Sequence, residues 1–300
     1  MTIFFWKTGN RKILVIRYFQ NCSMDSKENL DLIDAKVVHG ISYRKEIVQN
    51  FPIDKDAEVY PMNNRKRGKC VIFNNKTFNE MKKRDGTEND QKAIEDTFTN
   101  LGFEVKSHPD LDYVGIMDEA ANCMSSVCSL FDFKRSAHYD CICIFILSHG
   151  TNGDYVYAKD YPYRVSDIWG RFTADNCPSL TGKPKLFFIQ VSVSYDFLQH
   201  FIFNFSQLIY VIKFCSFTSF AGYYSFRTSE GSHYIQTLCE VINKHWRNMD
   251  LLKMLTITSR KVAFEFEAAH NSPFLNETKQ MPTFSSTLTR DLYFFPKNKS

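Results

Sequence analysis

The nine residues Tyr139–Leu147, YDCICIFIL, are apolar on both faces of an extended chain. A strand with one wet face alternates apolar and polar residues. A strand without that alternation must be covered on both sides, which is the place of a central strand in a parallel sheet. Residues 185–189, KLFFI, repeat this character after Gly182 and Pro184. Two such strands require helices above and below them, and the rest of the pattern supplies these.

Residues 70–73 form a short apolar run suited to a buried strand. Thr87-x-x-Asp90 then resembles a capping box, one methylene short of the usual Glu, and opens a helix carrying Ala93, Ile94, Phe98 and Leu101. Gly102 is placed to stop it as a C′ residue. Residues 103–105 can form a second strand. Val114, Met117, Ala121, Met124, Cys128 and Phe131 mark a second helix. Ser232 can cap a helix bearing Ile235, Leu238, Ile242 and Trp246, and another runs from about Asp250 through Leu252, Met254, Leu255, Ile257 and Val262. Residues 288–295 close the chain with strand-like aromatics. Strands alternating with helices predict an α/β fold, a mainly parallel sheet flanked on both faces. No internal repeat is visible.

Length and composition allow one large core or two modest ones, with 300 residues at 44% hydrophobic. The net charge of +4 is a weak bias, and no basic block alternates with aromatics as a nucleic-acid groove requires. The nine cysteines show no spacing of a disulfide framework, and no Cys-x-x-Cys lies near a His pair, so neither a disulfide scaffold nor a metal site is expected. Buried free thiols point to a reducing, cytoplasmic setting. At the start, Arg11, Lys12 and Arg17 interrupt the apolar residues, so the segment reads as a non-structural leader and not a signal peptide, with Met24 an alternative first residue. Residues 24–66 read as a disordered leader ending in the basic run 65–69.

Chemistry in such sheets gathers where strand C-termini open into loops. YDCICIFIL runs into Ser148-His149-Gly150, and KPKLFFI runs into Gln190. A His after one central strand can serve as general base for a nucleophile after the next, and Gly150 can offer its N–H to an oxyanion.

Around these two points lie further motifs: Arg84-Asp85-Gly86-Thr87, Leu147-Ser148-His149-Gly150, the run GKPKLFFIQ ending at Gln190, Gly222-Tyr223-Tyr224-Ser225-Phe226-Arg227 and Gln280-Met281-Pro282. Lys261-Val262-Ala263 and Leu292-Tyr293-Phe294 add to them. In order and distance the set resembles the caspases, Asp-directed cysteine endopeptidases, over roughly residues 60–190 and 217–296. The resemblance implies a large-subunit-like region at 60–190, a small-subunit-like region at 217–300 and a leader or short prodomain at 1–59. It implies that His149 is general base and acid and that Gly150 is an oxyanion donor. Arg84, Gln190 and Arg227 would form the pocket for the substrate Asp, where two guanidiniums hold one carboxylate by charge-assisted bonds. Tyr224 and Phe226 would wall the neighbouring subsite, and Ser225 would pair with the substrate as an added strand. Thr228 and His233 stand where many members carry Asn and Trp.

The family's Gln-Ala-Cys-x-Gly nucleophile motif is absent. Gln190 is followed by Val191-Ser192-Val193-Ser194-Tyr195, and the next cysteine is Cys215. Ser192 occupies the nucleophile's place; its hydroxyl is a far poorer nucleophile than a thiol, and no third orienting group is evident, so the chain is expected to be inactive. Residues 191–216, VSVSYDFLQHFIFNFSQLIYVIKFCS, carry only Asp196 and Lys213 as formal charges and have the composition of thymine-rich codons. Gln-Val-Ser is also what CAG-GTA-AGT, a consensus splice donor, encodes. The segment therefore reads as a translated intron; a membrane span is disfavoured because Asn204, Gln207 and Lys213 interrupt it.

The resemblance further implies a zymogen acting in apoptosis, a dimer joined near 283–288 through Phe284 and Leu288, protein substrates with Asp at the cleaved position, and no cofactor. The short leader suggests an executioner-like member, with Asp31-Leu32-Ile33-Asp34 resembling a prodomain cleavage site. The alternative is a non-catalytic pseudo-caspase that binds or dimerises with an active one.

Overall fold

The structure, a computed structural model, describes residues 2–8, 11–17, 56–128, 139–151, 154–191, 213–217, 227–265 and 279–297, with residues 2–8, 11–17, 213–217 and 227 described by their backbone alone. The chain divides into two compact units, residues 1–50 and 51–300. In the first, β1 (Thr2–Thr8) and β2 (Arg11–Arg17) pair antiparallel with Thr8 opposite Arg11. The expected non-structural leader thus contains a hairpin. Its β-branched and aromatic residues favour extended pairing.

The second unit is built on a six-stranded sheet. Its strands are β3 (Lys66–Asn74), β4 (Glu104–Pro109), β5 (Tyr139–Leu147), β8 (Lys185–Gln190), β9 (Lys213–Phe217) and β12 (Thr283–Ser286), in the order β12-β9-β8-β5-β3-β4. All neighbours are parallel except β12 on β9. Two short hairpins stand outside it: β6 (Tyr155–Tyr157) with β7 (Pro162–Arg164), and β10 (Arg227–Thr228) with β11 (Gly231–Ser232).

The period of two in a strand decides the layers. Val71 and Phe73 of β3, Ile142, Ile144 and Ile146 of β5, and Phe187 and Ile189 of β8 share one core. It is covered by α2 (Tyr113–Val127) and α3 (Val165–Trp169). The alternate residues Cys70, Ile72, Cys141, Cys143, Phe145, Leu147, Leu186 and Phe188 enter the other core. That face is covered by α1 (Thr87–Asn100), α4 (His233–His245) and α5 (Leu251–Glu265). The fold class is the one the sequence predicts. Among the described residues no helix is long and apolar enough to cross a membrane.

Several local expectations hold. Gly102 takes φ 87° behind α1, with the Phe103 amide donating to the Phe98 carbonyl at 3.0 Å, as a C′ glycine does. The Ser232 hydroxyl accepts from the Ile235 amide at 3.3 Å and caps α4.

Others are corrected. The Thr87–Asp90 capping box does not form. Gly86, at φ 81°, occupies the N-cap position of α1, and the Thr87 hydroxyl donates instead to Asn74 Oδ1 at 2.7 Å. The basic run 65–69 does not end a leader but enters β3. Arg67 is fully buried, with Nη1 3.5 Å from the equally buried Asp140 and Nε donating to the Leu101 carbonyl. Lys297 also reaches Asp140 from the end of the chain. Residues 288–295 form no strand. They run beside 58–60, where the Tyr60 amide donates to Asp291 O at 3.0 Å, while Leu292 and Phe294 fill the core.

Nor are all the cysteines free. Cys128 and Cys177 form a disulfide with Cα atoms 5.2 Å apart across 49 residues, a pairing that spacing alone cannot reveal. The anomalous stretch 191–216 also ends inside the sheet, because β9 crosses its boundary with the following region. Phe131 lies outside the described residues. Phe284 and Leu288, expected at a dimer contact, pack partly against this chain's own core.

Candidate active site

Three parallel strands end together at one edge of the sheet. Leu147 of β5 stands opposite Asn74 of β3 and Gln190 of β8. The next rung is held by the Asn75 amide on the Leu147 carbonyl at 2.9 Å and the Ser148 amide on the Gln190 carbonyl at 3.1 Å. His149 therefore leaves the sheet one residue beyond a hydrogen bond to Gln190. The two groups that the sequence placed on neighbouring strand ends are neighbours in space.

His149 is half-buried, with its ring 4.8 Å from that of Phe78. Its Nε2 lies 2.8 Å from the Lys82 carbonyl oxygen. A carbonyl can only accept, so Nε2 carries the proton, and in the neutral ring Nδ1 is left with the lone pair. No residue type marks this orienting group, because any residue has a carbonyl. What places it is the loop 75–84. Asp110, at φ 52°, accepts from the Lys76 amide at 2.6 Å and the Thr77 amide at 2.8 Å. Burial opposes the Asp110 charge, yet these amides hold its carboxyl below the usual range.

Gly150 pairs with Val156 as an isolated antiparallel bridge, made through Tyr157 N to His149 O and Thr151 N to Tyr155 O. Bonds through the flanking residues turn the Gly150 N–H away from β6. That orientation is compatible with an oxyanion donor.

Arg84 is no surface residue, being 1% exposed. Its Nη1 donates to the Asn75 carbonyl at 2.9 Å and the Thr87 hydroxyl at 3.0 Å. Thr87 is in turn fixed on Asn74, whose Nδ2 donates to Gln91 Oε1 at 2.9 Å. Gln190 is buried at the end of β8. Arg227 is placed by its backbone in β10, opposite Ser232. The Gly86 backbone meets this hairpin so closely that an added Cβ would lie 2.1 Å from the Thr228 carbonyl oxygen. The loop bearing Arg84 and the strand bearing Arg227 are thus in contact. Thr228 is exposed, and His233 opens α4, with burial holding its imidazole below the ordinary range. Ser192, Tyr224, Ser225 and Phe226 lie outside the described residues.

A substitute thiol is not at hand among the described residues. Cys215 sits on the rung of Phe187, which faces Ile144, five residues before His149. At about 3.3 Å per residue that is about 16 Å along the sheet. Burial pushes the Cys123 thiol up to about 11 and Cys239 to about 12, and drives Cys141 and Cys143 upward as well. Cys70 is fully buried. The four thiols raised by burial are poor sources of thiolate, and Cys70 has no exposed surface through which a substrate could reach it.

Comparison with known proteins bears on this arrangement. The Caspase domain family matches residues 67–293. Caspase-1 of Drosophila melanogaster is 34% identical over 279 residues, covering 84% of this chain and 80% of the relative. Caspase-3 of Bos taurus is 33% identical over 301 residues, covering 91% and 98%. Among solved structures, caspase-1 from Spodoptera frugiperda superposes with a TM-score of 0.71 at 33% identity, covering 83% of this chain and 98% of that one.

Proposed function

Because the chain belongs to the caspase domain family, whose activity is Asp-directed cysteine proteolysis, we propose that it carries the substrate site of an executioner-like caspase without a working nucleophile. In this reading residues 60–190 are large-subunit-like and residues 217–300 small-subunit-like. His149 is the general base, Gly150 the oxyanion donor, and Arg84, Gln190 and Arg227 the pocket for the substrate Asp, with Tyr224, Ser225 and Phe226 beside it. The observation that carries the proposal is the imidazole of His149, fixed on the Lys82 carbonyl beside the end of β8, while the residue after Val191 is Ser192.

The orienting group does not restore serine chemistry. A backbone carbonyl fixes the ring but bears no negative charge, so it stabilises an imidazolium less than a buried carboxylate would. A serine hydroxyl, unlike a thiol, is not measurably ionised near neutrality. Residues 191–216 are read as a translated intron that replaces the nucleophile motif and the intersubunit linker. Sequencing the transcript across positions 185–222 tests this: a spliced form restoring Ala-Cys-x-Gly supports it, and codons at 190–192 that contain no donor string refute it.

At the protein level, the purified full chain is expected to give no turnover of fluorogenic tetrapeptides with Asp at the cleaved position. Turnover that disappears in Ser192→Ala would overturn the inactive reading. A second reading, a pseudo-caspase that pairs with an active caspase in apoptosis, draws on β12, which stands at one end of the order of the described sheet, the position from which strand pairing between chains starts. The five free buried thiols among the described residues support a cytoplasmic location; the Cys128–Cys177 bond is the feature that speaks against it.

A further inference from the structure

Asp90 lies in the first turn of α1 and is fully buried. Its Oδ1 accepts from the Ser232 amide at 2.8 Å and from Gln236 Nε2 at 2.9 Å, partners 142 and 146 residues away. Next to it, Asn89 Nδ2 donates to the Ser229 carbonyl at 2.8 Å. The approach is close on both sides. A Cβ on Gly231, which takes φ 113°, would lie 2.6 Å from Asp90 Oδ1, and one on Gly86 would lie 2.1 Å from the Thr228 oxygen. A buried carboxylate on a helix start, held by donors from the far half of the chain, is not a helix cap.

We propose that Asp90 is a positioning residue for the substrate pocket, latching the β10–β11 hairpin, and Arg227 with it, onto the helix whose first turn anchors Arg84. A continuous path supports this. Arg84 is fixed by Thr87 Oγ1, Thr87 begins α1, Asp90 lies one turn on and holds the Ser232 amide, and Ser232 is the register partner of Arg227. Two guanidiniums that share one carboxylate need a fixed separation, and a shift of the order of an ångström at either is enough to lose the fit. The inference rests on the assignment of Arg84 and Arg227 to the substrate Asp.

The test measures binding of fluorescent tetrapeptide amides to the purified full chain by anisotropy, with Asp or Asn at the pocket position. The wild-type chain is expected to favour Asp over Asn by about tenfold or more, as charge-assisted bonds require. Asp90→Ala, which deletes both acceptor contacts, is expected to lose at least about fivefold of that ratio while its circular dichroism stays native. Asp90→Asn keeps an oxygen at Oδ1 and should retain most of it. If Asp90→Ala fails to fold, Gln236→Ala removes one donor alone and should lower the ratio partially.

A wild-type chain that does not distinguish the peptides sinks the pocket assignment and the latch with it. A discriminating wild-type chain whose folded Asp90→Ala or Gln236→Ala variants discriminate equally sinks the latch alone. Loss in folded Asp90→Asn as deep as in the alanine variant would likewise overturn it, in favour of a role for the charge.

Discussion

The carbonyl oxygen of Lys82 lies 2.8 Å from Nε2 of His149, which fixes the tautomer of the ring before any substrate arrives. Only an N–H can face a carbonyl, so the neutral imidazole carries its proton on Nε2. The expected outcome in a 15N-labelled sample above neutral pH is one His149 ring nitrogen with a protonated shift at Nε2 and an unprotonated one at Nδ1. A ring protonated on Nδ1 would mean that the loop 75–84 does not hold this contact in solution.

Gly86 is the second point where the proposed pocket depends on backbone. It takes φ 81°, and a Cβ there would stand 2.1 Å from the Thr228 carbonyl oxygen. Gly86→Ala therefore meets two penalties: a left-handed conformation that costs about 1–2 kcal/mol, and a backbone clash that side-chain motion cannot relieve. The expected result is a loss of more than about 2 kcal/mol in urea unfolding. Asp85→Ala, at an exposed neighbour, is expected to stay within about 0.5 kcal/mol of the parent.

At the N-terminal ends of β3 and β5, opposite the end that bears His149, Asp140 collects Arg67, Lys297 and the Asn64 amide. Arg67 and Asp140 have no exposed side-chain surface. Burial lowers the Arg67 pKa, while Cys141 and Asp140 act to raise it. Removing the carboxylate alone would leave the guanidinium buried without its counter-charge. Asp140→Ala is thus expected to cost about 3–5 kcal/mol. The double variant Arg67→Met, Asp140→Leu is expected to cost less than Asp140→Ala, and chemical denaturation of the two variants checks the order.

These residues also show what a sequence does and does not disclose here. The strand Tyr139–Leu147 was legible because its apolar character on both faces has few physical solutions, and the same holds for 185–189. The neighbouring positions of His149 and Gln190 were legible because one stands two residues beyond such a strand and the other ends one. Arg67 was not, since a basic run reads as a wet face, and its partner Asp140 lies inside the most apolar segment of the chain. Asp90 looked like a helix cap because its nearest sequence neighbours suggest one, whereas its hydrogen bonds come from Ser232 and Gln236. Residues 288–295 carry strand-like aromatics, but such residues report only a face that must be covered. Here that face is Leu292 and Phe294 against the core, with no ladder beside them among the described residues beyond the bridge at Asp291. The Lys82 carbonyl leaves no trace in residue type.

Lys185 gives a prediction whose sign is set by burial. It starts β8, its side chain is fully buried, and Nζ donates to the Leu180 carbonyl at 2.7 Å and the Lys183 carbonyl at 3.0 Å. Desolvation, helped by the nearby Lys183, pushes its pKa down to about 7. The unfolded chain keeps a normal lysine, so between about pH 7 and 10.5 the unfolded state binds a proton that the native state does not. Stability then rises with pH through that window, by at most about 1.4 kcal/mol per pH unit from this group. Below it both states are protonated and the contribution is flat at its lowest value. Lys185→Met removes the titration and keeps an unbranched apolar stem. Its stability relative to wild type should therefore be most favourable near pH 6 and should decline toward pH 9. A difference between the two proteins that stays constant across that range would mean that Lys185 is charged in the native sheet throughout.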